Sequence, residues 1–185
     1  PVITAVRLFQ RTNKPALLDF AKSVFAYWDT HMVDPSTHAV SDHVKPGGEI
    51  VKYKFTYNEG LMIGACLALF EVTKDPKYLA EAHAIAGYLV DKETMATPFG
   101  LVLFDGTEAS CTGDCPQFKG IGYRYLAALH ATDPKPTYAA VLEASAKSLR
   151  DVARDKASGL FGIDWTTAPG KLVVESAISA SSALS

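Results

Sequence analysis

The sequence predicts an all-α domain in which helical hairpins repeat, as in a helical toroid or an α-solenoid. The segment LFQRTNKPALLDFA at 8–21 aligns with LFEVTKDPKYLAEA at 69–82, and six positions are identical at a single offset of about 61 residues. A weaker third copy, LHATDPKPTYAAVLEA, follows at 129–144. Helices that are apolar on nearly all faces alternate along the chain with helices that are apolar on one face only. A long polar loop connects each helix of the second kind to the next helix of the first kind.

Each copy of the repeat is typical of two antiparallel helices. The first helix, such as 60–73, is apolar on nearly all faces, whereas the second, such as 76–90, alternates charged residues with apolar ones. A helix that is apolar all round is buried, and a striped helix lies outside it. The proline near the start of each second helix, such as Pro76, occupies a position where its missing N–H costs nothing.

The helices follow in order from this pattern. We expect helices near 2–12 and 15–32, near 57–73 and 76–92, near 117–131 and 136–155, and a last inner helix at 173–184. Two short β-ribbons are predicted in the loops, one around Val40, Ile50 and Val51 and one at 101–106. The sequence therefore describes a single domain over 1–185 with about three hairpins.

Three long loops, at 33–56, 93–116 and 156–172, connect each outer helix to the next inner helix. They are rich in Gly, Pro, Asp and Thr, and loops of this length within a compact domain are usually functional. Each loop enters the N-terminal end of an inner helix, so the three loops gather on one rim. That rim is the predicted active face.

Composition narrows the class of protein. With 185 residues, 48% of them hydrophobic, the chain has the composition of an ordinary globular domain. The net charge of −2 comes from interspersed acids and bases, which argues against a nucleic acid or an anionic membrane as a partner. No apolar run is long enough to predict a membrane span, and the first residues lack the order of a signal peptide.

The rim carries carboxylates, amides and aromatic rings. This set comprises Asp42, His43, Lys54, Tyr57, Asn58, Glu59, Asp105, Glu108, Asp114, Gln117, Phe118, Lys119, Asp164, Trp165 and Glu175. Such groups are expected where sugar hydroxyls are hydrogen bonded and ring faces are stacked. The pattern predicts a carbohydrate cleft.

Several rim residues also admit purely structural interpretations. Asn58 is a candidate cap for a helix that starts at 59, and Glu59 complements the helix dipole from an exposed position. Lys119 is either a solvated rim lysine or a residue that a ligand approaches through the neighbouring glycines. Trp165, in a loop, is the stacking candidate, whereas Tyr27 and Trp28 are assigned to the core.

The cysteines and His43 give weaker signals. Cys66, inside an apolar helix, is predicted to be a small buried hydrophobe. Cys111 and Cys115 form a disulfide, stay reduced or bind a metal; two thiols without a neighbouring histidine argue against zinc, so no metal or cofactor is expected. Asp42 and His43 suggest an oriented base, although no nucleophile motif or phosphate-binding loop accompanies them.

Three segments, TYNEGLMIGA, CTGDCPQFKGIGYRYLAAL and ESAISASSALS, resemble glycoside hydrolase family 76 over nearly the whole chain. That family contains endo-α-1,6-mannanases and related fungal wall proteins thought to act as transglycosylases. The resemblance implies an (α/α)6 toroid with its cleft at the N-termini of the inner helices. It matches Tyr57 and Asn58 to the family's YN motif, and Phe118, Lys119 and Gly120 to its FKG motif.

The predicted substrate-binding residues are therefore Tyr57, Asn58, Phe118 and Lys119 from the motifs, with Asp42, Asp114 and Trp165 added from the rim. The resemblance implies α-mannan or its oligosaccharides as the ligand. It also implies a location outside the cell or at the cell wall.

The sequence departs from the family pattern at its catalytic centre. The family uses two adjacent aspartates near the start of an earlier inner helix, in a retaining mechanism, and this sequence contains no Asp-Asp dipeptide. Six hairpins would need roughly 350 residues, so about three hairpins correspond to the C-terminal half of the ring. We expect the chain to pair with a missing N-terminal half or a second copy. Two functions stay open: a mannan-acting hydrolase, or a non-catalytic carbohydrate-binding or interaction module.

Overall fold

The computed structural model describes residues 1–184, and within them the protein is a succession of helical hairpins. The helices are α1 Val2–Thr12, α2 Pro15–His31, α3 Thr56–Thr73, α4 Pro76–Lys92, α5 Phe118–Thr132, α6 Pro136–Asp151 and α7 Val174–Leu184. One 3-10 turn at Cys115–Gln117 precedes α5. The all-α prediction is confirmed; α6 ends at Asp151, earlier than the predicted 155.

The helices form two layers. The inner layer is the row α1, α3, α5 and α7, and α2, α4 and α6 pack behind it as the outer layer. Helix α3 is apolar on all sides and buries Ile63, Cys66 and Leu69 completely. Helix α4 instead buries one stripe that includes Ala82 and Ile85. The core lies between the layers, as the two kinds of helix predict, and Cys66 is a free, buried thiol as predicted.

The turn inside each hairpin explains the repeated sequence. Asn13 and Lys74 end α1 and α3 in the left-handed conformation, with φ of 52° and 56°. Asp75 then caps α4 by accepting the Lys77 N–H at 3.1 Å, and a proline opens the second helix. In the weaker third copy, Asp133 is extended, with φ of −140°. The third turn therefore follows a different path, in keeping with its divergence from the repeat.

Short antiparallel ribbons lie in the first two long loops. Strands β1 (His43–Val44) and β2 (Ile50–Val51) pair in the first, and β3 (Thr94–Thr97) and β4 (Gly100–Leu103) pair in the second. Val40 lies outside the first ribbon and forms an isolated bridge with Val33 instead. The second ribbon packs on α6, where the Ser145 hydroxyl accepts the Leu103 N–H at 3.1 Å.

Glycines bring the inner helices into close contact. A Cβ added at Gly60 in α3 would lie 2.9 Å from the Cα of Gly122 in α5. Gly120, two residues earlier in α5, faces α7 and donates its N–H to the Ser179 hydroxyl at 2.7 Å. Because two residues span about 200° of helix rotation, these two α5 glycines face opposite neighbours. Their spacing lets α3, α5 and α7 lie side by side with their N-terminal ends together.

The three long loops therefore meet at one end of the inner layer. They enter α3, α5 and α7 at the N-terminal ends that the glycine contacts align, which confirms the predicted rim. No helix within residues 1–184 is long and apolar enough to span a lipid bilayer.

We expect Gly60→Ala to destabilise the protein by about 1–3 kcal/mol, because the new methyl group would force α3 and α5 apart. The matched control is Gly87→Ala in the outer helix α4, where an added Cβ meets no atom within 4 Å. That change should be neutral or stabilise by about 0.5–1 kcal/mol. Urea unfolding followed by circular dichroism measures both; equal effects would contradict the close contact.

Candidate functional site

Tyr57, in the first turn of α3, lies at the centre of an aromatic and acidic cluster on the rim. Its hydroxyl donates a hydrogen bond to Oδ1 of Asp42, which the first long loop supplies. Its ring centroid lies 4.3 Å from that of Phe118, at the start of α5. Phe55 completes the cluster, 5.2 Å from Phe118. The structure thus brings together three of the predicted site residues, Tyr57, Asp42 and Phe118.

The cluster keeps Tyr57 a neutral hydrogen-bond donor. Burial raises the pKa of the Tyr57 phenol well above its ordinary value, and the hydrogen bond and negative charge of Asp42, together with the charge of Asp114, add to the effect. Since the phenol does not ionise near neutral pH, Asp42 can serve as an acceptor. The second oxygen of Asp42 lies 2.8 Å from Nδ1 of His43, whose side chain is exposed.

Asp114, another predicted site residue, is exposed on a short covalent loop. A disulfide joins Cys111 and Cys115 around Thr112, Gly113 and Asp114. Of the three alternatives left by the sequence, the disulfide is therefore the one formed. Within residues 1–184, no group of three or more His, Cys, Asp or Glu residues is arranged to hold a metal ion.

The start of α3 is capped by a residue that the sequence did not indicate for this role. The helix begins at Thr56, after Phe55, so the prediction that Asn58 caps it is wrong. Asn58 is buried and donates its side-chain N–H to the Tyr53 carbonyl at 3.1 Å. The cap is Asp105 in the second loop, which accepts the backbone N–H and the hydroxyl of Thr56, both at 2.7 Å. A carboxylate there also complements the helix dipole.

Lys119 lies behind the rim and is fully buried, so the interpretation as a solvated rim lysine is wrong. Among residues 1–184 its Nζ has no hydrogen-bond partner, and it lies 5.7 Å from the centroid of the Trp165 ring. Burial lowers the pKa of Lys119, while the charges of Asp105 and Asp164 oppose that shift. Lys119 thus places a buried amine between the second and third loops rather than on the exposed rim.

The predictions for Trp165 and Tyr27 are wrong, whereas Trp28 agrees with its assignment to the core. Trp165 is completely buried in the core, so it is not available for stacking on a ligand. Tyr27 is exposed and stacks on His31 at 4.5 Å, so its assignment to the core is wrong. Trp28 is half-buried and packs against the core. An exposed aromatic residue of the first long loop is Tyr53, which is 65% exposed and which the sequence analysis did not select.

Glu59 also differs from its prediction, because it is fully buried rather than exposed. It packs with Glu93, which the sequence analysis did not select. The third loop is tied to the second by Glu108, whose Oε1 accepts the N–H groups of Gly170 and Lys171 at 2.8 and 2.7 Å. Beside Tyr57, a cavity of about 170 Å³ opens between α1, α2 and α3, with Trp28 and Asp42 in its wall.

The arrangement of helices and loops defines the class of protein to which the chain belongs. Parallel inner helices backed by outer helices, with long loops gathered where the inner helices begin, are the architecture of an α/α toroid. The chain belongs to glycosyl hydrolase family 76, whose family model matches residues 2–185.

Solved structures share this fold. A protein of Listeria innocua is 28% identical with a TM-score of 0.87, over 99% of this chain and 51% of that one. An inactive α-1,6-mannanase variant of Salegentibacter sp., with two neighbouring aspartates replaced by asparagine, is bound to α-1,6-mannotriose. It is 27% identical with a TM-score of 0.83, over 98% of this chain and 55% of that one.

Among curated proteins, a mannan endo-1,6-alpha-mannosidase of Candida glabrata is 32% identical over 85 residues. The match covers 43% of this chain and 19% of that protein. The chain thus spans about half the length of the two solved structures and a smaller part of the Candida enzyme.

We expect Asp105→Ala to destabilise the protein by about 1–2 kcal/mol, because Thr56 loses the acceptor for its N–H and its hydroxyl. Hydrogen–deuterium exchange should accelerate at 53–58, where α3 begins. The control is Asp75→Ala, which removes the cap of α4 on the outer layer. It should cost a similar free energy while leaving exchange at 53–58 unchanged; the same exchange rate there in both variants would contradict the assignment of the cap.

Proposed function

We propose that this chain forms part of the substrate cleft of a glycoside hydrolase that cleaves α-1,6-linked mannan by a retaining mechanism. The observation that carries the proposal is the cluster of Tyr57, Asp42 and Phe118 at the N-terminal ends of α3 and α5, in a chain of family 76. The relative from Salegentibacter sp., which has the same fold, binds α-1,6-mannotriose.

The rim supplies both kinds of contact that a mannosyl chain requires. Asp42 and Asp114 offer carboxylate oxygens to sugar hydroxyls, and Tyr53 and Phe118 offer ring faces to the apolar faces of the sugar. Tyr57 orients Asp42 through its hydrogen bond. In this proposal Asn58 and Lys119 support the cleft from beneath, since both are buried.

Hydrolysis with retention needs two carboxyl groups about 5–5.5 Å apart, one as nucleophile and one as acid and base. This sequence contains no Asp-Asp dipeptide, and the Salegentibacter variants that lack two neighbouring aspartates are described as inactive. We therefore assign the acid pair to another part of the ring. The residues of this chain bind the mannosyl units that flank the scissile bond.

We also propose a complementary N-terminal half-ring of helical hairpins as the partner of this chain. The two ends of the inner layer, α1 and α7, carry exposed apolar side chains, among them Leu8, Val174, Ile178 and Leu184. The similar solved structures are about twice as long as the part that this chain matches. A second copy of the chain is the alternative occupant. Mannan substrates place the protein outside the cell or at the wall.

A non-catalytic carbohydrate-binding module is the second candidate function, and the lack of an Asp-Asp dipeptide favours it. One experiment distinguishes the two functions. Linear α-1,6-mannan is incubated with the chain, and the release of oligosaccharides is followed by mass spectrometry while binding of the mannan is measured. We expect binding without release by the chain alone, and release once a chain with the N-terminal half-ring is added. Binding without release in both cases would support the module. Release by this chain alone would place catalytic carboxylates among its own residues.

We expect Tyr57→Ala to weaken binding of α-1,6-mannotriose about tenfold, equivalent to about 1.4 kcal/mol, because the ring and the hydrogen bond to Asp42 are both lost. Isothermal titration calorimetry measures the affinity. The control is Tyr27→Ala, which removes an exposed aromatic ring from the outer helix α2. A mannotriose affinity for Tyr57→Ala equal to that of the control would remove Tyr57 from the binding surface.

A further inference from the structure

Two buried glutamates lie against each other beneath the rim. Glu59, in the first turn of α3, is fully buried, and Glu93, directly after α4, is 5% exposed. The two carboxyl groups are near enough for each to change the pKa of the other. Oε1 of Glu59 accepts the N–H of Val40 at 2.7 Å. Within residues 1–184, the other oxygen of Glu59 and both oxygens of Glu93 have no hydrogen-bond donor.

This arrangement requires a proton. Two buried carboxylates side by side repel each other strongly, and three of their four oxygens have no donor among residues 1–184. A proton on one carboxyl group removes the repulsion and supplies a donor to the other. Glu59 has the backbone N–H of Val40 and the N-terminal end of the α3 dipole to stabilise a negative charge. Glu93 has neither of these. The proton therefore stays on Glu93, and Glu59 is the group that can accept a hydrogen bond from it.

The neighbouring charges do not remove that requirement. Lys54 is the cation nearest the pair, but its Nζ donates to the carbonyl of Val40 at 3.0 Å rather than to either glutamate. The other ionisable groups that face the pair or Lys54 are Asp34, Lys52, Tyr57, Tyr88 and Asp105. Of these only Lys52 is a cation, and it acts on Lys54 rather than on the pair.

Both glutamates are therefore harder to ionise than in water. Burial raises the pKa of Glu59 to about 7, against the opposing effects of its hydrogen bonds and Lys54. Burial, with the charges of Glu59 and Asp105, raises the pKa of Glu93 to about 10. The two groups titrate as a pair, which holds a single proton between these values.

We propose that Glu59 and Glu93 share one buried proton and act as positioning residues for the loop that carries Asp42. Both backbone groups of Val40 are held by this cluster, the N–H by Glu59 and the carbonyl by Lys54. Val40 stands two positions before Asp42, which accepts the hydrogen bond of Tyr57. The pair thus links the N-terminal end of α3 to the part of the first long loop that carries Asp42. Only the placement of Asp42 in a sugar cleft rests on the proposed function.

The sign of the pH dependence follows from these pKa values. In the unfolded chain both glutamates ionise near their ordinary value of 4.5. The folded protein therefore binds more protons between that value and about 10, so its stability falls as the pH rises. The stabilisation is fully present below pH 4.5 and is lost as the pH passes through about 7 and then approaches 10. Between pH 7 and 9, where one proton is retained, the unfolding constant should rise about tenfold per pH unit.

The experiment compares the unmodified chain with Glu59→Gln and Glu93→Gln, which preserve the side-chain volume and still allow a hydrogen bond between positions 59 and 93. Urea unfolding is measured at pH 5, 7 and 9. The tenfold change per pH unit between 7 and 9 should disappear in Glu93→Gln, which removes the group that holds the proton there. In Glu59→Gln it should move to lower pH, because Glu93 stays buried but no longer faces the charge of Glu59. Glu71→Gln, an exposed glutamate of the same helix α3, should retain it. Parallel pH dependence in all four proteins would overturn the shared proton.

A second readout tests positioning and needs no sugar. The amide proton resonance of Val40 in a ¹⁵N-labelled sample should titrate with a midpoint near pH 7 in the unmodified chain and in Glu71→Gln, and should not titrate in Glu59→Gln. A Val40 amide that is insensitive to pH in the unmodified chain would overturn the positioning role, even if neither glutamine variant folds. Mannotriose affinity, measured in parallel, reports on the proposed function alone.

Discussion

The close contact of α3 with α5 is the constraint on which the rest of this structure depends. Gly60 and Gly122 allow the two backbones to approach to a distance at which a methyl group would not fit. Because the contact lies near the N-terminal end of both helices, it fixes the relative positions of the residues at their starts. Tyr57 and Phe118 touch for this reason, although they are 61 positions apart in the sequence. Backbone packing, rather than the loops, therefore sets the geometry of the cluster.

Buried ionisable side chains fix the positions of the long loops relative to the inner helices. Asp105, Lys119 and Glu59 lie directly under the rim, and each links an inner helix to a long loop through hydrogen bonds or charge. Removing a charged group from water is costly, so such residues are retained where they are paired or where they define a geometry. Here each one connects a long loop to the start of an inner helix. The apolar core stabilises the hairpins, and the buried polar groups specify how the rim is arranged.

The sequence predicted the hairpins well, because their signals are local. The first two hairpins are marked by apolar periodicity, by a residue in the left-handed conformation and by the proline that follows it, all within a few positions. The helix bounds agree closely for this reason.

The site was predicted less well, because its partners are distant in sequence. Asp105 caps a helix that begins 49 positions earlier, and no local pattern marks it. Trp165 stands in a loop, which favours exposure, yet Ser148 of α6 binds its carbonyl at 2.7 Å and the ring enters the core. Glu59 has the position of a dipole-complementing residue, but its burial depends on Val40 and Glu93 from two other loops.

The same division explains how the proposed half-ring can be an ordered unit. Each hairpin buries its apolar surface between an inner and an outer helix and against the next hairpin, so the core between the layers needs no further element. The two ends of the inner layer are not covered in the same way. Within residues 1–184, α1 and α7 each have an inner-layer neighbour on one side only, and Val174 and Ile178 of α7 are exposed. The proposed cleft has the same asymmetry, since its proposed binding groups stand on α3 and α5, whereas we assign the carboxylate pair to another part of the ring. Binding of the proposed half-ring would thus cover the apolar edges and complete the proposed active site together, because both depend on the proposed neighbours of α1 and α7.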